Sequence, residues 1–259
     1  MARPSGNRSL AAGAIWTGVA LLALVGFAGS IGRGVTVFKT RSAPAGEVRA
    51  LSRLDTRSTD AVATLLGLEP GTEAYSDIHR QYRRFLGKFY QYPTATLLHV
   101  APAAVFMLLA PFQFSRRLRS RHPGWHRWSG RVIVAMAIPI GLSGFFFGLL
   151  MPFGGALEAS AIALFGGFFL VALSRAVVAI RRGDVTRHRE WMIRMFAVAI
   201  GVSMVRVAGT VLLLVTRQGP EAWFGHSVWI GFVTTVALAE WWVRRTRAVT
   251  SRRPLAILL

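Results

Sequence analysis

An all-α membrane protein, a bundle of about six transmembrane helices with one extracytoplasmic loop segment, is the fold class this sequence predicts, and three observations predict it. The 259 residues are 53% hydrophobic with a mean hydropathy of +0.44 and only 16% charged, too apolar for a soluble domain of average composition. Apolar runs long enough to span a bilayer alternate with short arginine-rich segments instead of mixing at helical or strand period. Those arginines also gather in alternate connectors, the pattern of the positive-inside rule.

The first apolar run, Leu10 to Ile31, follows Arg3 and Arg8. At about 1.5 Å per residue it reaches roughly 30 Å, a full hydrocarbon core, which predicts an anchor over residues 1–31. A signal peptide cut near Ala28 or Ala45 is the alternative. Residues 32–92 are polar, with mixed charge and turn signals at Pro44, Gly46 and Pro70-Gly71, and predict an extracytoplasmic segment with two short amphipathic helices. In the second of these, Tyr75, Ile78, Tyr82, Phe85 and Phe89 recur at spacings of three and four while Arg80, Arg83, Arg84 and Lys88 lie off the stripe. That helix would lie in the membrane interface, cap the bundle or pack within a small loop domain.

Five further runs, Thr94–Phe114, Val132–Pro152, Glu158–Ile180, Trp191–Val215 and Ser227–Val243, predict a five-helix core over residues 93–243, with a basic cytoplasmic tail over 244–259. Arginines crowd the connectors at Arg116–Arg131, Arg181–Arg194 and Arg244–Arg247, whereas the connectors after the third and fifth spans carry only Arg217, and the ten basic residues of the long 32–92 segment are accompanied by six acids in a loop too long to set topology. Both termini are therefore expected in the cytoplasm. Small residues four apart, Gly144 and Gly148, then Ala197 and Gly201, suit close helix contacts. Trp125, Trp128, Trp191, Trp223, Trp229, Trp241 and Trp242 lie near span ends, as aromatic belts do.

The net charge of +20 would suggest nucleic acid, but its placement between spans points to the bilayer, with anionic lipids at the cytoplasmic face, and to no nucleic acid. Zero cysteines exclude disulfides, thiolate metal sites, iron–sulfur clusters and covalent haem attachment. With lysine confined to Lys39 and Lys88, the arginine usage suggests a GC-rich bacterial genome and hence a bacterial plasma membrane. No metal site is expected, because Pro123-Gly124 separates His122 from His126, and no nucleotide-binding loop or hydrolase elbow is present.

Ionisable groups at membrane depth are the site candidates. Toward the outside these are His99, roughly 7–8 Å into the second span, Arg206 in the fifth, Glu158 at the start of the fourth as a partner for Arg206, and His226 before the sixth. Toward the inside, His126 opens the third span and His188 the fifth. Two imidazoles at the starts of parallel helices would ligate b-type haem, or would serve as interfacial residues bonded to carbonyls or lipid phosphate. Gln113, Arg131, Arg175, Arg194 and Glu240 are read as structural polar residues, with an Arg175–Glu240 ion pair expected. His188 and Arg206, eighteen residues apart or about five turns, share one azimuth.

Leu98-His99, Pro111-Phe112-Gln113-Phe114, His126-Arg127-Trp128, Gly130-Arg131 and His188 with Trp191-Met192-Ile193-Arg194 together resemble a family of bacterial membrane proteins known as domain of unknown function 2306, over roughly residues 75–243. Ala101-Pro102 departs from the glycine expected after His99 and predicts a kink. The resemblance implies a multi-span membrane fold without a defined activity, and its histidine-bearing helices look somewhat like the two-haem cytochrome b reductases, a likeness at the level of fold. Two functional expectations follow. One is a redox protein holding haem b or meeting quinone through His99, His126, His188 and His226. The other is a transporter or sensor with an anionic or lipid-like ligand near Arg206, His99 and Glu158.

Overall fold

No water reaches the hydrocarbon core to satisfy backbone N–H and C=O groups, so each apolar run must bond its own backbone and coils into a helix. In the computed structural model, which describes residues 6–40 and 53–251, every regular element among those residues is helical. Six helical stretches, Gly13–Thr40, Pro93–Gln113, Pro123–Leu150, Gly155–Arg181, Val185–Thr216 and Pro220–Arg247, are long and apolar enough to cross a membrane. In chain order the helices are α1 (Gly6–Thr40), α2 (Arg53–Leu65), α3 (Glu73–Gln91), α4 (Pro93–Gln113), α5 (Arg116–Arg121), α6 (Pro123–Phe145), α7 (Gly155–Ala161), α8 (Gly167–Arg181), α9 (Val185–Thr216) and α10 (Pro220–Ser251). Two π-helical turns, Phe146–Leu150 and Ile162–Gly166, extend α6 and join α7 to α8. The turn residues Pro44 and Gly46, the cleavage candidate Ala45, Arg3 and the last eight residues of the tail lie outside the described residues.

Two boundaries differ from the hydropathy reading. The first helix continues past Ile31 to Thr40, and the last continues past Val243 to Ser251. A helix does not stop where its apolar run stops, because the next turns go on bonding their own backbone beyond the hydrocarbon edge. With 32 residues, α9 measures about 48 Å against a core of about 30 Å.

The chain divides into two compact units, Met1–Ser52 with Gly87–Ser143, and Arg53–Leu86 with Gly144–Leu259. In the first unit α1 packs along α4, where a Cβ on Gly34 would sit 3.4 Å from Val100. Arg33 reaches Tyr90, donating to its hydroxyl at 3.3 Å, and its guanidinium lies 5.5 Å from the Phe89 ring. Lys88, expected on the polar face of its helix, is buried, with its ammonium 5.5 Å from the same ring. The end of α3 runs straight into α4, where the Thr96 hydroxyl donates to the Phe89 carbonyl at 2.8 Å, so that face is covered. Pro102 and Pro111 both lie inside α4, which remains a single helix.

In the second unit α9 packs against α8 on one side and α10 on the other. Glycines permit the close approach. A Cβ on Gly201 would fall 2.6 Å from Phe232, one on Gly231 2.7 Å from Val205, and one on Gly209 2.7 Å from the Trp223 ring. Trp223 is thus a buried packing residue and not part of an aromatic belt. Gly148 likewise admits Ile162, bringing the two π turns together. The start of α3 caps this unit. Tyr75 donates to Asp60 of α2 at 2.8 Å, Phe85 meets Phe153 and Phe224, Arg84 pairs with Glu221, and Arg217 donates to the Leu65 carbonyl at 2.9 Å.

Candidate functional site

In the first unit His99 emerges from the middle of α4, half-buried, and its Nδ1 lies 3.0 Å from the hydroxyl of Ser143 on α6. The Ser143 hydroxyl donates its own proton to the Pro139 carbonyl, one turn back. It can therefore only accept from the imidazole, which places a proton on Nδ1, so that in the neutral ring the lone pair is on Nε2. Ser143 is fully within an apolar run and was not singled out from sequence. A lone serine four residues after a proline is the signal that could have found it, since small hydroxyls commonly bond the i−4 carbonyl.

Gln113, at the end of α4, donates to Ser129 of α6 at 2.6 Å, and Ser129 in turn donates to the Trp125 carbonyl at 2.6 Å. Gln113, read from sequence as a structural polar residue, thus bonds α4 to α6. His126 is half-buried in the first turns of α6, while His122 is exposed and precedes the helix with non-helical dihedrals. Arg131 is exposed on α6.

In the second unit His188 occupies the first turn of α9, half-buried against α8, with Nδ1 2.9 Å from the Ala176 carbonyl. A carbonyl only accepts, so Nδ1 carries a proton here too, and in the neutral ring the lone pair is on Nε2. The interfacial carbonyl bond foreseen for this residue is present. It is equally the bond by which ligating imidazoles fix their far nitrogen.

Two residues further, Glu190 is buried and receives a forked pair of bonds from Arg247 of α10. Arg194 lies 3.9 Å from Glu190 and 2.8 Å from Glu240, which also accepts from Arg244 at 3.2 Å. The expected Arg175–Glu240 pair does not form. Helices α9 and α10 pack directly on one another, so Arg194 captures Glu240, whereas Arg175 of α8 lies over Trp191 at 5.2 Å. Sequence reading passed over Glu190, although its i,i+4 relation to Arg194 was a local signal for it.

Arg206 sits on an exposed face of the apolar part of α9, its guanidinium donating to the Val202 carbonyl at 3.1 Å. His188 shares its azimuth on the continuous helix but is half-buried. Glu158 is buried and accepts the Gly154 N–H at 2.8 Å, so it serves as an N-terminal cap of α7, where a carboxylate suits the helix dipole. His226 is exposed on α10. Among the described residues no cluster of three His, Cys, Asp or Glu side chains could hold a metal ion.

Six helices long and apolar enough to cross a bilayer, with every regular element among the described residues helical, define a polytopic α-helical membrane protein. More particularly, the family described as predicted membrane protein (DUF2306) matches residues 96–243, and the chain belongs to it. No curated protein and no solved structure matches the chain.

Proposed function

We propose that the protein is a membrane redox protein that holds b-type haem, or hydrogen-bonds a quinone, through neutral imidazole nitrogens on its spans. One observation carries this reading. At both His99 and His188 the Nδ1 nitrogen bonds a fixed partner, Ser143 and the Ala176 carbonyl, so that Nε2 is held in one orientation and is the nitrogen through which the neutral ring would ligate. Such a nitrogen is what haem iron takes as an axial ligand and what a quinol hydroxyl takes as an acceptor. His126, half-buried, and His226, exposed, are the further ligand candidates.

The donor chemistry fits haem, which when bound supplies one-electron transfer. The chain's own contribution is to hold the His99 and His188 rings in place through their Nδ1 bonds, which aim Nε2 in a fixed direction. The setting in this reading is the bacterial plasma membrane with both termini cytoplasmic, supported by the arginines at the joined ends of α8, α9 and α10. A C-terminal reporter active only in the cytoplasm tests that orientation.

The functional test is the visible spectrum of detergent-purified protein, oxidised and then dithionite-reduced, from cells supplied with haem. A Soret band with sharpened reduced bands, lost on substituting the ligand histidines singly, is the expected result. If the spectrum is featureless and added quinone leaves the melting temperature unchanged, the proposal fails.

A further inference from the structure

A cavity of about 610 Å³ opens among α8, α9 and α10 beside the Glu190–Arg247 pair. Its walls carry four arginines, Arg175, Arg187, Arg194 and Arg247, against two glutamates, Glu190 and Glu240, and so hold two net positive charges. The glutamates are already saturated, Glu190 by Arg247 and Arg194 and Glu240 by Arg194 and Arg244. Arg175 makes no ion pair among the described residues, and Arg187 has only the exposed Asp184 at 3.3 Å, on its own first turn. The excess charge is therefore carried by the two arginines with the least carboxylate opposite them.

The apolar wall is Trp191 with Phe168. The guanidinium groups of Arg175 and Arg194 lie 5.2 and 4.9 Å from the Trp191 ring centroid, which holds both forks in place without neutralising them. Depth fits a particular class of anion. The apolar run of α9 begins at Trp191 and that of α10 ends at Val243, so the cavity residues Arg187, Trp191, Glu240 and Arg247 lie about the ends of both runs, where hydrocarbon gives way to headgroups.

We propose that this cavity binds a phosphate-bearing anion, the phosphate of a phospholipid headgroup or free phosphate, through Arg175 and Arg187. Planar guanidinium forks match phosphate oxygens in pairs. The proposal is independent of the redox reading, since it involves none of the four histidines.

The test uses the full chain purified in a neutral maltoside detergent, titrated in separate arms with phosphatidylglycerol, phosphatidylcholine and inorganic phosphate, with melting temperature as the readout. Wild type is expected to be stabilised by phosphatidylglycerol more than by phosphatidylcholine. At about 1 kcal/mol per arginine near a membrane surface, Arg175→Gln with Arg187→Gln should weaken apparent affinity about thirtyfold. Arg175→Lys, which keeps the charge but not the fork, should lie between. The exposed pair Arg116→Gln with Arg117→Gln on α5 is the control for general surface charge and should leave the affinity unchanged. Stabilisation by phosphatidylglycerol but not by inorganic phosphate identifies a lipid site, and equal stabilisation by inorganic phosphate identifies a soluble anion. Absence of any shift, or equal weakening by the cavity and control variants, overturns the proposal. Both cavity arginines are exposed, and the ligand-free melting temperature of each variant verifies that it is folded.

Discussion

Replacing Glu190 by glutamine perturbs the best-buried charge among the described residues. The Glu190 side chain is only 4% exposed, and its oxygens accept a forked pair of bonds from Arg247 while Arg194 stands 3.9 Å away. Removing one partner of a fully buried pair costs about 3–5 kcal/mol because the other charge is stranded. Here the stranded partner is not trapped. Arg247 is 58% exposed and can turn into water, and Arg194 keeps Glu240 at 2.8 Å. What remains is the loss of the charge-assisted bonds, so Glu190→Gln should destabilise by about 2 kcal/mol. Arg247→Gln leaves the buried carboxylate with Arg194 alone and should destabilise more than Glu190→Gln. The double variant should recover part of the sum, with a coupling of about 1–2 kcal/mol. Reversible unfolding by sodium dodecyl sulfate in mixed micelles measures all four proteins. Single-variant losses below about 0.5 kcal/mol with no coupling would refute the reasoning, since the cluster would then be solvated and energetically idle.

Two packing predictions concern α9. Gly201→Ala places a Cβ 2.6 Å from Phe232 and should destabilise by about 1–3 kcal/mol, whereas Gly13→Ala, with nothing within 4 Å, should be neutral or stabilising by up to about 1 kcal/mol; the same unfolding assay separates them. The Ser203 hydroxyl is buried without a hydrogen-bond partner, so Ser203→Ala should raise stability by about 1 kcal/mol, and a loss of stability would contradict that account.

How far the sequence could be read follows from which interactions are local. All six spans were legible, because length and hydropathy are properties of one segment and the bilayer fixes the length needed. The amphipathic α3 and the close-packing Gly148 and Gly201 were legible for the same reason. Contacts between spans were not. The Arg194–Glu240 pair joins residues on α9 and α10 that no periodicity relates, and Arg175 was the wrong choice for want of knowing which helix packs against α10. The Ser143 acceptor of His99 belongs to the same class. Lys88 was misplaced because helical spacing assigns a face but not what covers it. The π turns at Phe146–Leu150 and Ile162–Gly166 left no trace in hydropathy, since one extra residue per turn leaves composition unchanged. At the candidate site the residues His99 and His188 could be named in advance, and their tautomers could not.

The central claim, that oriented Nε2 atoms on the spans serve as haem ligands, is tested most directly by haem content per polypeptide, measured side by side as pyridine haemochrome in wild type, His188→Ala and the exposed control His122→Ala. The account predicts haem b in wild type and in the control, with a clear loss in His188→Ala. Equal haem content in all three proteins, or none in any of them, would contradict it.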